Sequence, residues 1–432
     1  MSKLILYEAA LIGIILGVVS GLIPGVGNFV LMLLIFPFLG NFGVYELLVL
    51  YASMAAISQY VGSIPATLYS IPGESSSYPT VIESKKLNSV DSVSNAISGS
   101  AFGSFFGSVL VLGLCYWLAD YANLISYFYS TKIIVVLLIV VSVAVCATAG
   151  NGWRINIALL LAGFALGVIG YNNYFNTTVL TFNNPYLYAG LPLEVVLICL
   201  FAVPQIMENY SLKNTKIQNT LIYNATKVYI VNPIQTLFYT GIGFFGGLVP
   251  GLTTVFSSIA AYNISTWFTQ DPVKRIVASE TANNAGAFSM LLPLLLFGVP
   301  LIGSEALLLS LIEQRGFIIS SIDFGELISI LSANIVIVNL IGLVLAWPLS
   351  KQVRHFYRLN LKVVFGVVLL LLFAVIVYSG YINYSTVYYL TVFAVLAPVG
   401  YALRNVNTLP LVFAFIIHDK LFDGIMRVTQ LI

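Results

Sequence analysis

Two apolar segments 226 positions apart break at the same dipeptide. Residues 17–28 read Gly-Val-Val-Ser-Gly-Leu-Ile-Pro-Gly-Val-Gly-Asn, and residues 243–254 read Gly-Phe-Phe-Gly-Gly-Leu-Val-Pro-Gly-Leu-Thr-Thr. Gly17, Gly21, Leu22, Pro24 and Gly25 fall on Gly243, Gly247, Leu248, Pro250 and Gly251. A helix reaching Pro24-Gly25 must break there, because proline lacks an N–H and glycine tolerates φ > 0. The chain around these breaks is 59% hydrophobic and 8% charged. A soluble domain carries about 25% charged residues, so lipid or other buried segments must solvate most of this chain. Paired broken segments in corresponding halves of a membrane protein point to a transporter's binding site.

Self-comparison extends the repeat. Pro65 and Pro72 fall on Pro293 and Pro300 at an offset of 228. Glu83, Trp117, Lys132, Gly150, Gly170 and Tyr171 fall on Glu313, Trp347, Lys362, Gly380, Gly400 and Tyr401 at an offset of 230. Apolar blocks of spanning length occupy about 4–23, 26–39, 46–72, 95–118, 132–149, 155–171 and 190–207. The second series runs over about 233–249, 252–268, 283–312, 326–348, 363–379, 384–402 and a short 407–418. This predicts an all-α polytopic membrane protein with two inverted-topology repeats, broken or re-entrant helices and about 12–14 membrane segments. The expected divisions are 1–189, a linking helix and cytoplasmic connection over 190–232, and 233–432. The 46–82 stretch is long for one helix, so a span plus a broken piece is expected there.

Loop charge sets the orientation. Lys351, Arg354, Arg358 and Lys362 place 351–362 in the cytoplasm, whereas its counterpart 120–132 holds only Lys132 beside Asp120. Lys274 and Arg275 mark 267–275 against 40–46, which has no Lys or Arg. Alternation then makes 209–228 cytoplasmic and 172–189 external. The halves are expected to be inverted, with the N-terminus outside the cell (plasma or inner) membrane. Residues 1–20 read as a retained first helix rather than a signal peptide, since Glu8 interrupts the apolar run and no A-x-A site follows.

The breaks offer two kinds of ligand. Unwound carbonyls bind cations, and half-helix N-terminal N–H groups bind anions. Candidate substrate-binding residues are Pro24, Gly25, Gly27, Asn28, Ser63, Pro72, Gly73, Ser75, Pro250, Gly251, Thr253, Thr254, Asn283 and Asn284. Candidate ion-coupling residues are Glu280, Gly21 and Gly247, Glu280 because an ionisable residue in a membrane-embedded segment is costly and often functional. The plainer readings are a packing kink for the glycines, a helix-start carboxylate for Glu280 and an exposed loop residue for Glu74. No HExxH, Walker A or GxSxG pattern occurs, so an enzyme is not expected. No catalytic residue, metal site or cofactor is expected. The two histidines and three separate cysteines carry no ligand spacing, and the net charge of +2 is too small for a nucleic-acid binder.

Taken in order, these motifs resemble the large membrane (permease) subunit of tripartite tricarboxylate transporters. The likeness rests on Gly21-Leu-Ile-Pro-Gly-Val-Gly27, Ser63-Ile-Pro65, Ile71-Pro-Gly73, Gly247-Leu-Val-Pro-Gly251, Glu280-Thr-Ala-Asn-Asn284 and Gly298-Val-Pro300. Gly190-Leu-Pro192, Leu200-Phe-Ala202 and Leu409-Pro-Leu-Val412 also fit. The resemblance implies cation-coupled symport of a small tri- or dicarboxylate, with sodium or protons as coupling ion. It also implies a small membrane subunit and an extracytoplasmic solute-binding protein as partners. Pro24, Gly25, Pro250, Gly251, Asn283 and Asn284 would line the central site. Assembly as a homodimer stays open, as does a channel or passive pore, or a non-carboxylate solute. Thr253 stands where the family often has glycine, and Glu74 with its serines replaces a usual Thr-Pro, placing negative charge near a presumed anion site.

Overall fold

The computed structural model describes residues 6–119, 131–172, 177–210, 231–249, 253–319, 322–356 and 360–430. These are overwhelmingly helical, as a chain in lipid requires when every backbone polar group must find an internal partner. The one exception to helix and turn is a short antiparallel hairpin pairing Gly170–Asn172 with Thr177–Val179. It lies in the stretch expected to be an irregular external loop.

The first half runs through α1 (Tyr7–Leu22), α2 (Asn28–Ile35), α3 (Val44–Tyr69), α4 (Tyr78–Ser84), α5 (Val90–Ala119), α6 (Thr131–Thr148) and α7 (Trp153–Gly167). Next come α8 (Leu193–Leu197), a π turn (Ile198–Ala202) and α9 (Val203–Tyr210). The second half holds α10 (Pro233–Gly247), α11 (Thr253–Phe268), α12 (Pro272–Ser289), α13 (Leu292–Phe297), α14 (Gly303–Glu313), α15 (Phe324–Phe356), α16 (Leu361–Ile382), α17 (Thr386–Ala402) and α18 (Leu409–Gln430). Among the described residues, five stretches are long and apolar enough to cross a membrane: Val44–Tyr69, Val90–Ala119, Thr131–Thr148, Phe324–Val353 and Leu361–Ile382. Other apolar helices, such as α1, α7 and α17, are shorter. The last helix is longer than its sequence block suggested, continuing through a charged stretch to Gln430.

The first break forms where the sequence places it. α1 ends at Leu22, Ile23 is extended, Gly25 takes φ = 80° and Gly27 is the extended N-cap of α2. In the second copy α10 ends at Gly247 and α11 starts at Thr253; Pro250 and Gly251 lie outside the described residues. The 46–82 stretch is a span followed by a short separate piece, α4. Val44–Tyr69 is one helix with Pro65 inside it, and the chain unwinds only at Ser70. Its counterpart 228 positions later is divided, Pro272–Ser289 and Leu292–Phe297, with Pro293 in the first turn of the shorter piece, where a missing N–H costs nothing.

Both stretches end alike. Ser70 (φ = 54°) and Gly298 (φ = 61°) adopt the left-handed conformation, and Ile71 and Val299 donate back to the Pro65 and Pro293 carbonyls at 3.3 and 3.2 Å. This is the six-residue return of a Schellman cap, formed twice at one offset. Helix crossings repeat as well. Cβ atoms added at Gly17 or Gly21 would strike α3, at Met54, Ile57, Val61 and Gly62; at Gly243 or Gly247 they would strike α12, at Ala282, Ala285 and Gly286. Between the halves the packing is exchanged: α12 lies on α5, and α3 lies on α15. Of the membrane-length helices α3 is the most deeply enclosed, whereas α6 and α16 expose most of their surface outward.

Candidate functional site

Three glycines from separate segments set the position of the site. A Cβ at Gly73 would come within 2.5 Å of the Gly21 carbonyl and 2.6 Å of Gly62 Cα, so the 70–77 loop lies directly on α1 and α3. That contact turns Glu74 inward, where Ser58, Gln59 and Ser76 stand around its carboxyl group. Its Oε1 atom is buried and has no hydrogen-bond partner. The reading of Glu74 as an exposed loop residue is therefore corrected: the residue is half-buried, with its Oε1 shielded from solvent.

α12 supplies the opposite wall. Glu280 sits mid-helix and fully buried, not at a helix start, which removes the dipole-capping explanation of its charge. Thr80 of α4 donates to its Oε1, and the Asn283 amide donates to its Oε2 at 3.4 Å. The same amide donates to Gln59 Oε1, and Ser76 Oγ reaches that oxygen at 3.5 Å. Ser258 of α11 bonds the Ser76 carbonyl and Ser279 Oγ, both at 2.6 Å. On the far side of α12, Asn284 donates to Ser104 of α5 at 2.7 Å and to the Glu280 carbonyl at 3.1 Å. Gln59, Thr80, Glu280 and Asn283 are each at most 5% exposed, so the cluster is closed to solvent.

The remaining sequence candidates divide. Asn28 joins the cluster, its amide donating to Ser58 Oγ at 3.2 Å. Gly27 beside it faces open space, with nothing within 4 Å of an added Cβ. Pro24 and Gly25 form the turn before it, and Thr254 is buried in the first turn of α11. Ser63 is buried but its hydroxyl bonds the Tyr60 carbonyl of its own helix. Pro72 is exposed. Gly21 and Gly247 lie at the tight helix crossings. The side chains of Ser75 and Thr253 lie outside the described residues. Sequence reasoning did not single out Gln59, Thr80, Ser104 or Ser258; the signal available for Gln59 was a lone amide inside an apolar run.

An ion-pair group borders the cluster. Glu83 accepts from Lys86 at 2.7 Å, Tyr262 at 2.9 Å and Arg275 at 3.2 Å. Burial pushes the Glu83 carboxyl up, but these three donors and the Lys86 charge together hold it below its ordinary value. Among the described residues no group of three His, Cys, Asp or Glu side chains could hold a metal ion. A cavity of about 20 Å³ beneath Asn284, lined also by Ser108 and Asn339, has room for one water. A 250 Å³ cavity lies elsewhere, between Gly167–Tyr171, Tyr188–Leu191 and His418.

The described residues form a helical membrane protein with a helix interruption at Pro24-Gly25 and a buried polar cluster between α3, α4 and α12. Residues 8–413 match the tripartite tricarboxylate transporter TctA family, and the chain belongs to that family. It is 25% identical over 303 residues to an uncharacterized 52.8 kDa protein of Agrobacterium vitis described as lying in the TAR-I ttuC′ 3′ region. That match covers 67% of this chain and 60% of the relative's length. An uncharacterized protein of Methanocaldococcus jannaschii is 23% identical over 391 residues, covering 88% of this chain and 90% of its own. No solved structure matches. The chain is thus a multi-pass membrane protein of a transporter family.

Proposed function

We propose that this chain is the carrier subunit that imports a small tri- or dicarboxylate by cation-coupled alternating access. The observation that carries this reading is the buried cluster of Gln59, Glu280 and Asn283 with the half-buried Glu74 beside it, assembled from both halves in an otherwise apolar interior. Ionisable groups at such depth are retained at a cost and mark ion or substrate pathways. The recurring caps, the recurring glycine crossings and the exchanged packing support two homologous halves. Loop charge supports their inverted orientation, with the N-terminus outside.

The solute sits, in this reading, at the start of α2, where Pro24 and Gly25 turn the chain, Gly27 leaves open space and the first-turn N–H groups have no partners within the helix. Thr253 and Thr254 open α11 at the corresponding place beside Pro250 and Gly251. One broken-helix unit moves against the rest to expose this place alternately to each side. A small membrane subunit and an extracytoplasmic binding protein complete the assembly. Purified protein in liposomes, supplied with its cognate binding protein, should accumulate labelled citrate, succinate or a related acid under an inward sodium or proton gradient. Absence of gradient-driven uptake across a broad carboxylate panel refutes the proposal, and non-saturating flux independent of the gradient replaces it with a pore.

A further inference from the structure

We infer that Glu74, Asn283 and Asn28 form a sodium site, the place at which the coupling ion binds. The inference rests on the cation-coupled reading above and deepens it. In this cluster the amide donors are engaged: Asn28 Nδ2 on Ser58, Asn283 Nδ2 on Gln59 and Glu280, and Asn284 Nδ2 on Ser104. Acceptors are left over. Glu74 Oε1, Asn28 Oδ1 and Asn283 Oδ1 are buried and receive no hydrogen bond. Asn283 is fully buried, and the Glu280 carboxylate fixes which way its amide faces, because only the NH₂ side can meet a carboxylate oxygen. A buried surplus of oxygen acceptors is the complement of a hard cation, not of an anion.

Charge selects the ion. Both Glu280 oxygens already accept protein donors, from Thr80 and Asn283, so of these two carboxylates Glu74 has the open position; Glu83, which also leaves one oxygen unpartnered, is held by Lys86 and Arg275. One open carboxylate oxygen with two neutral amide oxygens matches a single positive charge, whereas calcium sites gather several carboxylates. Gln59 and Glu280 act as positioning residues that hold Asn283, and Ser58 holds Asn28. Both Asn28 and Glu74 lie beside the helix breaks, so sodium occupancy ties the 70–77 loop to α12 next to the proposed solute space. That shared contact couples the two ligands.

Equilibrium binding of ²²Na⁺ to the purified full chain, with no solute present, tests the site apart from transport. Wild-type protein should bind sodium saturably, and its melting temperature should rise when NaCl replaces choline chloride at equal ionic strength. Glu74→Gln keeps the side chain's shape, Asn283→Ala removes an amide oxygen, and Gln59→Leu removes the support of Asn283. Each should raise the half-saturating sodium concentration about tenfold or more, whereas the distant Ser142→Ala should leave it unchanged. Absence of sodium-specific stabilisation in wild-type protein overturns the inference, and so does wild-type affinity in Glu74→Gln, whose shape makes it the variant most able to fold. Uptake driven by protons without sodium binding overturns the site and keeps the transport reading; sodium binding without any uptake does the reverse.

Discussion

Replacing Gly73 with alanine tests the contact that builds the site. The added Cβ would lie 2.5 Å from the Gly21 carbonyl oxygen, 2.6 Å from Gly62 Cα and 3.1 Å from the Gly62 carbonyl. All three neighbours are backbone atoms of two helices already packed on each other, so no flexible side chain can move aside. Gly73 is not among the positive-φ residues, so the effect comes from the clash and not from backbone conformation. Overpacking a filled interior costs about 1–3 kcal/mol, and a backbone-only contact places this substitution toward the upper end. For a 150–250-residue domain about 1 kcal/mol lowers Tm by about 2–4 °C, and a longer chain shifts less. Gly27→Ala is the internal control, because its Cβ meets nothing within 4 Å. Thermal melting of both variants in detergent should show a drop of several degrees for Gly73→Ala and almost none for Gly27→Ala. Uptake should fall in both, in the first through a displaced Glu74 and in the second through a crowded solute space. Equal melting temperatures for Gly73→Ala and wild type would refute the three-glycine contact.

Gly247→Ala should destabilise as Gly73→Ala does, because its Cβ would strike the Gly286 backbone and Ser289 Oγ; thermal melting checks this. Removing Glu83 leaves the almost fully buried Arg275 without its carboxylate. Glu83→Ala should therefore cost about 3–5 kcal/mol, read as loss of folded protein on size-exclusion chromatography after mild heating. Because the folded Glu83 carboxyl lies below its ordinary value, the stability it contributes is present above the unfolded value near pH 4. It is lost as pH falls through the folded value, so Glu83→Gln should flatten the acid limb of the melting profile. Tyr51→Phe removes a buried 2.7 Å bond to Ser304 that joins α3 to the start of α14, and should lower stability by about 1 kcal/mol.

What the sequence made legible was local or periodic. Pro24-Gly25 breaks a helix by its own chemistry, and Gly25 duly takes positive φ. The repeat offsets carried further, since 228 aligned Pro65 with Pro293 and the same offset relates the two left-handed caps. Pro65 does not interrupt its helix: a proline inside a helix removes one hydrogen bond, and the tightly enclosed α3 continues through it. The site was only half visible. Glu280 and Asn283 stood out as polar groups in a buried-looking run, but their partners Gln59 and Thr80 lie 224 and 200 positions away in sequence and meet them only after α3 and α4 pack on α12. Glu74 was least readable, because the contact that turns it inward joins three glycines that no local pattern connects.

Under the proposed two-half organisation, the halves do not share the chemistry equally. Shifted by 228, Glu280, Asn283 and Asn284 fall on Ala52, Ala55 and Ala56, while Ser58 and Gln59 fall on Gly286 and Ala287. Each half is polar where the other is small. The exchanged packing brings the polar face of α12 against the polar stretch of α3 and the Glu74 loop, and it leaves alanines and glycines at the equivalent places. At the place related to the Glu74 loop, the chain carries Tyr51 bonded to Ser304, and Glu305 turned back onto the Leu301 amide at 2.7 Å. That carboxylate caps its own loop through Oε2, while its Oε1, like Glu74 Oε1, is buried without a hydrogen-bond partner. Two equal copies would have produced two equal sites. Under the sodium-site proposal, cation binding falls to the Glu74 side, where Asn28 and Asn283 also leave buried amide oxygens unpartnered.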